Sequence, residues 1–61
     1  MKRHFIVLAW LKFDAVCKMG AICAEEELHA ILGRRNVKGY KLISVGDETF
    51  DGWSDTEWKP V

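Results

Sequence analysis

The sequence predicts an α+β domain in which one helix packs on a small antiparallel three-stranded sheet, in the order strand, strand, helix, strand (β-β-α-β), followed by a short C-terminal helical turn. A β-branched and aromatic run opens the chain, one segment has helical periodicity, and a second β-type run follows between glycines. A chain of 61 residues forms one domain at most. We divide it into a β-β-α-β core at 1–46 and an acidic, tryptophan-containing segment at 47–61.

The first two elements are predicted to form a hairpin. The run HFIVLAWLKF has apolar residues at both odd and even positions, which predicts a central strand that is covered on both faces. In the following AVCKMGAIC, apolar residues alternate with Lys18 and Gly20, as expected of a second strand. No Asn-Gly or Asp-Gly turn separates the two runs, so a helix that begins near Asp14 is the alternative.

The segment AEEELHAILGRR predicts the helix, because Ala24, Leu28, Ile31, Leu32 and Arg35 recur at helical spacing. Three glutamates occupy its first turn and two arginines its last, and both placements suit the helix dipole. The run GYKLISVG, bounded by glycines, predicts the third strand. A single helix covers one face of such a sheet, so the other face needs the C-terminal segment, a second subunit or a partner.

The charges are balanced overall but unevenly placed. A formal net charge of zero argues against a general affinity for nucleic acid or membranes. Residues 1–46 carry eight Lys and Arg against four Asp and Glu, a net +4, whereas residues 47–61 carry one against five, a net −4. The simplest explanation is that the acidic segment folds onto a basic body.

The cysteines and the N-terminus predict a cytoplasmic protein. In one extended segment Cys17 and Cys23 would lie about 20 Å apart, whereas a disulfide needs Cα atoms within about 7 Å. Two unbridged thiols suit a reducing compartment. The apolar run at 5–11 is too short to cross a bilayer and is followed at once by Lys12, so neither a secretion signal nor a membrane partner is expected.

The stretch GDETFDGWSDTEWKP allows three interpretations. A calcium loop that starts at Asp47 would need a bidentate glutamate at its twelfth position, where Trp58 stands. A helical turn fits better, because Ser54 and Glu57 have the spacing of a capping box. Trp53 and Trp58 are then placed as a hydrophobic staple. The third interpretation is an acidic, aromatic surface for a partner, so the two indoles either cover the open sheet face or anchor a second protein.

Residues that could serve catalysis or metal binding form no recognisable motif. His4, Cys17, Cys23 and His29 lack the short Cys-x2–4-Cys spacing of structural zinc sites. A cysteine nucleophile would need a water-excluding pocket, for which so short a chain has little room. No glycine-rich phosphate loop is present. The sequence therefore predicts no metal, no cofactor and no enzymatic activity.

The loop GRRNVKGYK is the strongest basic patch. Its cations could pair with acidic groups on a protein or contact phosphates, and its tyrosine could stack on a base. The tryptophans of the C-terminal segment add desolvated anchors for a protein partner. The candidate partner-binding residues are therefore Arg34, Arg35, Lys38, Tyr40, Trp53 and Trp58. Single-stranded nucleic acid bound at 34–41 and a homodimer are the alternatives to another protein.

Two short features define the layout of residues 4–46: the helix start Ile22-x-Ala24-Glu25 and the glycine–aromatic step Gly39-Tyr40-Lys41-Leu42. This layout resembles that of small phage-encoded host-takeover proteins, nearest to the compact inhibitors of bacterial RNA polymerase. The resemblance implies a protein that modulates a host enzyme or regulator through surface charge, with Arg34 and Arg35 as candidate contacts. The acidic segment that carries the tryptophans departs from that pattern.

Overall fold

The computed structural model describes residues 1–61, in which five strands form one antiparallel sheet and one α-helix packs against it. The strands are β1 (Arg3–Trp10), β2 (Val16–Cys23), β3 (Gly39–Val45), β4 (Glu48–Thr49) and β5 (Lys59–Pro60). A 3₁₀ turn at Glu25–Glu27 leads into α1 (Leu28–Arg34), which is too short to span a membrane. The α+β class is confirmed. The three-stranded layout is wrong, because the C-terminal segment adds two short strands to the sheet.

β1 is the central strand, as predicted. It pairs antiparallel with β2 on one side and with β3 on the other. On its outer side β3 pairs with β4 at one end and with β5 at the other. β2 therefore forms an edge of the sheet and has no strand on its outer side. The predicted hairpin of the first two strands is confirmed, and α1 connects β2 to β3.

A strained turn joins β1 to β2. Phe13 and Asp14 both have left-handed backbone conformations, with φ of 62° and 58°, a region that glycine and asparagine normally occupy. Across the turn the Leu11 N–H donates to the Ala15 carbonyl at 2.7 Å. The turn was hard to recognise in the sequence because neither of its left-handed residues is Gly or Asn.

Replacing Phe13 with Asn is expected to raise the free energy of unfolding by about 0.5–1 kcal/mol, because Asn tolerates the left-handed region better. The Phe13 side chain is 97% exposed, so its removal sacrifices no packing. Urea denaturation measures the change. The matched control is Lys12→Asn, which alters the same turn at a residue without a left-handed φ; an equal gain from both variants would refute the role of strain.

The core lies between the sheet and α1. Alternate residues of β1 are buried, and the helix contributes Leu28 and Leu32 to the same cluster. An isolated seven-residue helix would not be stable in water, so α1 depends on this packing. The core consists of Phe5, Val7, Ala9, Ala21, Cys23, Leu28, Leu32, Val37, Tyr40 and Val45.

The opposite side of the sheet has no second layer, and we call it the open face. It carries the side chains of β1 and β2 that alternate with the buried ones, together with a lysine of β3. The β1 residues there are half-buried, so the predicted cover of β1 on both faces is only partial. The open face comprises Ile6, Leu8, Trp10, Val16, Lys18, Ile22 and Lys41.

The predicted capping box does not form. A 3₁₀ turn spans Trp53–Asp55 and begins after Gly52, whose φ is 75°, and Thr56 is already extended. Ser54 lies inside this turn and makes no capping hydrogen bond. Instead the Thr56 hydroxyl donates to the Trp53 carbonyl at 2.7 Å. A short helical turn is thus present as predicted, but it starts two residues earlier and is closed by a different side chain.

Candidate protein-binding surface

Two indoles and two ammonium groups meet at one end of the open face, and we call them the indole cluster. The rings of Trp10 and Trp58 lie 5.9 Å apart, with their planes tilted by 43°. The Lys38 Nζ lies 5.6 Å from the centroid of the Trp10 ring, and the Lys41 Nζ lies 4.9 Å from that of Trp58. Such contacts attract a cation to the electron-rich face of the ring.

The absence of a side chain at Gly39 makes room for this cluster. In the sheet Gly39 pairs with Trp10 on one side and with Pro60 on the other. A Cβ atom at Gly39 would lie 3.5 Å from both Trp10 and Trp58, and 3.2 Å from the backbone oxygen of Lys59. The last of these contacts is too tight to be relieved without moving β5. Gly39 therefore allows both the approach of Trp58 and the pairing of β5.

Lys41 holds the C-terminal segment against the sheet. Its ammonium group donates a hydrogen bond to the Ser54 carbonyl at 3.0 Å while lying over the Trp58 ring. The C-terminal segment thus folds onto the rest of the chain, as predicted, but the contacts that hold it are a backbone carbonyl, an indole ring and strand pairing rather than its carboxylates. Trp58 is half-buried by this packing and covers part of the open face.

Trp53 lies in a separate, shallow groove beside β3. Leu42, Phe50 and Trp53 form its apolar wall, and the cavity has a volume of about 290 Å³, at the lower limit for a small-molecule site. Cations and carboxylates share its rim, and no cysteine or histidine lines it. The remaining lining residues are Lys41, Asp51, Thr56, Glu57 and Lys59.

The two candidate arginines lie at the end of α1, in the layer that covers the other side of the sheet. Arg34 is the last helical residue and is exposed. Arg35 follows it, and its guanidinium donates a hydrogen bond to the Gly20 carbonyl on β2 at 3.0 Å. Of the predicted residues, the structure therefore brings Lys38 and Trp58 together through Trp10, whereas Arg34 and Arg35 belong to a different surface.

Tyr40 is a core residue. It is only 5% exposed, its hydroxyl is hydrogen-bonded to His29 Nε2 at 3.0 Å, and the two rings meet edge to face. The ring therefore has no free face on which a base could stack. Burial raises the pKa of the Tyr40 hydroxyl above its usual range, and the negative charge of Glu25 adds to the increase.

The folded protein is expected to lose stability as pH rises above 10.0, the ordinary pKa of tyrosine. Because the folded state holds the Tyr40 proton more tightly than the unfolded state, the contribution of Tyr40 is complete below that pH and disappears as pH approaches the raised folded pKa. Tyr40 is the only tyrosine, so tyrosinate absorbance reports on it alone. A folded-state midpoint at or below 10.0 would contradict the expected pKa. Tyr40→Phe, the control, should reduce the alkaline loss.

Sequence reasoning missed several residues of this surface. The sequence pattern predicts that the strand carrying Trp10 is covered on both faces and gives no sign that Leu8 and Lys18 belong to a binding surface, although all three face the open side. The alternation of β1 could have identified them, because the side chains of Leu8 and Trp10 point away from the face that carries the buried residues. Nothing in the sequence indicated that this second face would have no layer packed on it.

The structure shows no group of three or more His, Cys, Asp or Glu side chains that could hold a metal ion. Cys17 and Cys23 both lie in β2, as predicted, and are unbridged. No protein-family model matches this chain, and neither does any curated protein or solved structure. Proposals about function therefore depend on the geometry of the surface.

Proposed function

We propose that this chain is a small non-enzymatic protein that binds another protein through the open face and thereby modulates it. The composition of the open face carries the proposal. Its centre is apolar, its charged groups are lysines, and none of the strand side chains that point to this side is Asp or Glu. A partner that fits presents apolar side chains together with carboxylates.

The charges support a protein partner of this kind. Lys18 and Lys41 sit on strands at either side of β1, so an acidic segment lying across the face would meet a cation on each flank. Lysines steer an acidic partner during encounter, and the apolar centre then provides the contact that becomes desolvated. Trp10 and Trp58 pack on each other and remain half-buried, so a protein partner can contact the outer surface of this pair without separating the two rings.

The resemblance to phage-encoded inhibitors adds a narrower proposal, in which the partner is a bacterial host enzyme or regulator and binding inhibits it. The unbridged thiols of Cys17 and Cys23 support a reducing, cytoplasmic setting for this interaction. Arg34 and Arg35 form a second cationic surface on the helix layer, and the experiment below separates it from the open face.

Single-stranded nucleic acid is the second candidate, because the open face combines cations with indoles. The ring contacts favour a protein instead. Trp10 is already covered by Trp58 and Lys38, Lys41 lies over Trp58, and Tyr40 is buried. Bases would therefore have to displace existing contacts in order to stack. Binding of a fluorescent oligonucleotide that falls steeply with salt would favour this candidate.

The test compares Lys18→Glu with Arg34→Glu, two charge reversals at exposed cations on different surfaces. Each immobilised variant and the wild type are exposed to bacterial lysate, and retained proteins are quantified by mass spectrometry. We expect a protein that the wild type and Arg34→Glu retain and that Lys18→Glu loses by about tenfold or more, since a like-charge contact replaces an attractive one. Loss with Arg34→Glu alone would assign binding to the helix layer and contradict the proposal.

A further inference from the structure

No strand pairs with the outer side of β2, which is therefore a sheet edge eight residues long. The Leu11 N–H bonds to the Ala15 carbonyl, which fixes the alternation: odd-numbered residues of β2 bond to β1 and even-numbered ones point outward. The Gly20 carbonyl agrees with this alternation, since it accepts its hydrogen bond from Arg35 on the outer side. The outward backbone groups belong to Val16, Lys18, Gly20 and Ile22.

Exposed apolar side chains collect along this edge. Apart from the terminal residues Met1 and Val61, the large hydrophobic side chains that are exposed are Phe13, Val16 and Ile22. Val16 and Ile22 are 49% and 70% exposed and lie at opposite ends of β2, and Phe13 lies in the turn that precedes it. An edge with these properties pairs readily with another strand.

We propose that two copies of this chain pair antiparallel through β2, which joins their sheets into one. This inference does not depend on the proposed function. The outward N–H and C=O groups form hydrogen bonds between the two copies only in registers that place even-numbered residues of one copy directly opposite even-numbered residues of the other. Among these, the register with Met19 on the two-fold axis places Val16 opposite Ile22 of the second copy and Lys18 opposite Gly20. A register shifted by two residues in one direction would instead place the Lys18 side chains of the two copies directly opposite each other, where their charges repel.

The charges beyond the strand ends fit the same register. The Lys12–Asp14 turn of each copy then lies beside the Glu25–Glu27 turn of the other, because each turn flanks β2 at an opposite end. Lys12 approaches three carboxylates, and Phe13 gains a surface that covers it. Arg35 must release the Gly20 carbonyl, since Lys18 of the second copy takes that position. Both open faces end on the same side of the joined sheet.

Disulfide trapping tests the register. In a Cys17→Ser background, Met19→Cys would place two thiols directly opposite each other, with Cα atoms about 4.5 Å apart and within disulfide range. The matched control is Lys18→Cys on the same edge, whose two copies would be offset by two residues and about 7–8 Å or more apart. We expect the Met19→Cys dimer to form roughly tenfold faster or more under mild oxidation. Equal rates, or faster trapping of Lys18→Cys, would overturn the proposal.

Sedimentation of the chain without introduced cysteines provides an independent reading. We expect a concentration-dependent dimer that Ile22→Lys weakens by about tenfold, because two Val16–Ile22 contacts are lost per dimer. Ile22 is largely exposed, so this variant keeps its fold. Arg35→Ala should strengthen the dimer by removing the competitor for the Gly20 carbonyl. A wild type that stays monomeric at every concentration would refute β2 pairing.

Discussion

The Leu32→Ala variant is expected to lose about 3 kcal/mol of stability, within the usual range for a fully buried leucine. Leu32 has no solvent-exposed surface and is among the largest fully buried side chains. A domain of this size has a net stability of about 3–5 kcal/mol, so the variant should keep only about 0–2 kcal/mol and up to about half of its molecules should be unfolded near room temperature. Urea denaturation followed by far-ultraviolet circular dichroism measures the loss.

The matched control for Leu32 is Ile31→Ala. Ile31 lies on the same helix, and its change to Ala removes as many carbon atoms as Leu32→Ala does. Those atoms make fewer buried contacts, because Ile31 is only half-buried at the edge of the core. We expect its loss to be less than half that of Leu32→Ala, since a partly exposed site leaves a smaller cavity. If Ile31→Ala were the more damaging change, α1 would have to pack on the sheet with a different face.

The Trp58→Ala variant is expected to lose about 2 kcal/mol, less than a fully buried tryptophan because the ring is half-buried. The change removes the ring contact with Trp10 and the cation contact with Lys41. Because β5 has only two residues, the strand depends on the neighbouring indole to stay paired. Urea denaturation measures the loss, and amide exchange at Val61, which bonds to the Lys38 carbonyl, should accelerate.

Trp53→Ala is the control for this prediction, because it removes another half-buried indole from the same segment. Trp53 lines the shallow groove rather than the indole cluster. We expect it to cost about 1 kcal/mol and to leave β5 paired, since its partners do not include Trp10. A Trp58→Ala variant within about 0.5 kcal/mol of the wild type would show that the cluster does not hold the C-terminal segment.

The helix and the hairpin could be predicted because their signals are local. In α1 the spacing of Leu28 and Leu32 marks the face that is buried. In β2 the alternation ends with Ala21 and Cys23, both of which are buried under the helix. These patterns follow directly from helical and strand geometry, so they do not depend on where the rest of the chain lies.

The C-terminal segment could not be predicted in the same way. Strands of two residues, such as β4 and β5, have no periodicity to read, and they form only because β3 offers an unpaired edge. The capping-box pattern at Ser54 was misleading, because Gly52 adopts a left-handed φ and starts the turn earlier. Long-range pairing decided the structure of this segment, and a local pattern cannot report it.

The candidate site was only partly predictable for a related reason. Sequence reasoning grouped Arg34, Arg35, Lys38 and Tyr40 because they are neighbours in the chain. In the sheet, strand alternation sends Tyr40 into the core and the start of β3 places Lys38 beside Trp10, whereas the helix end carries the arginines. Trp10 and Trp58, far apart in sequence, are brought together by the pairing of β5 with β3.

The proposed function requires that the open face, rather than the helix layer, contacts the partner. Nuclear magnetic resonance of the labelled chain, titrated with the protein that the capture experiment retains, tests this most directly. We expect amide shifts to concentrate at Leu8, Lys18 and Lys41 and at the indole N–H of Trp10 and Trp58. Shifts confined to α1 and its terminal arginines, with the open face unchanged, would contradict it.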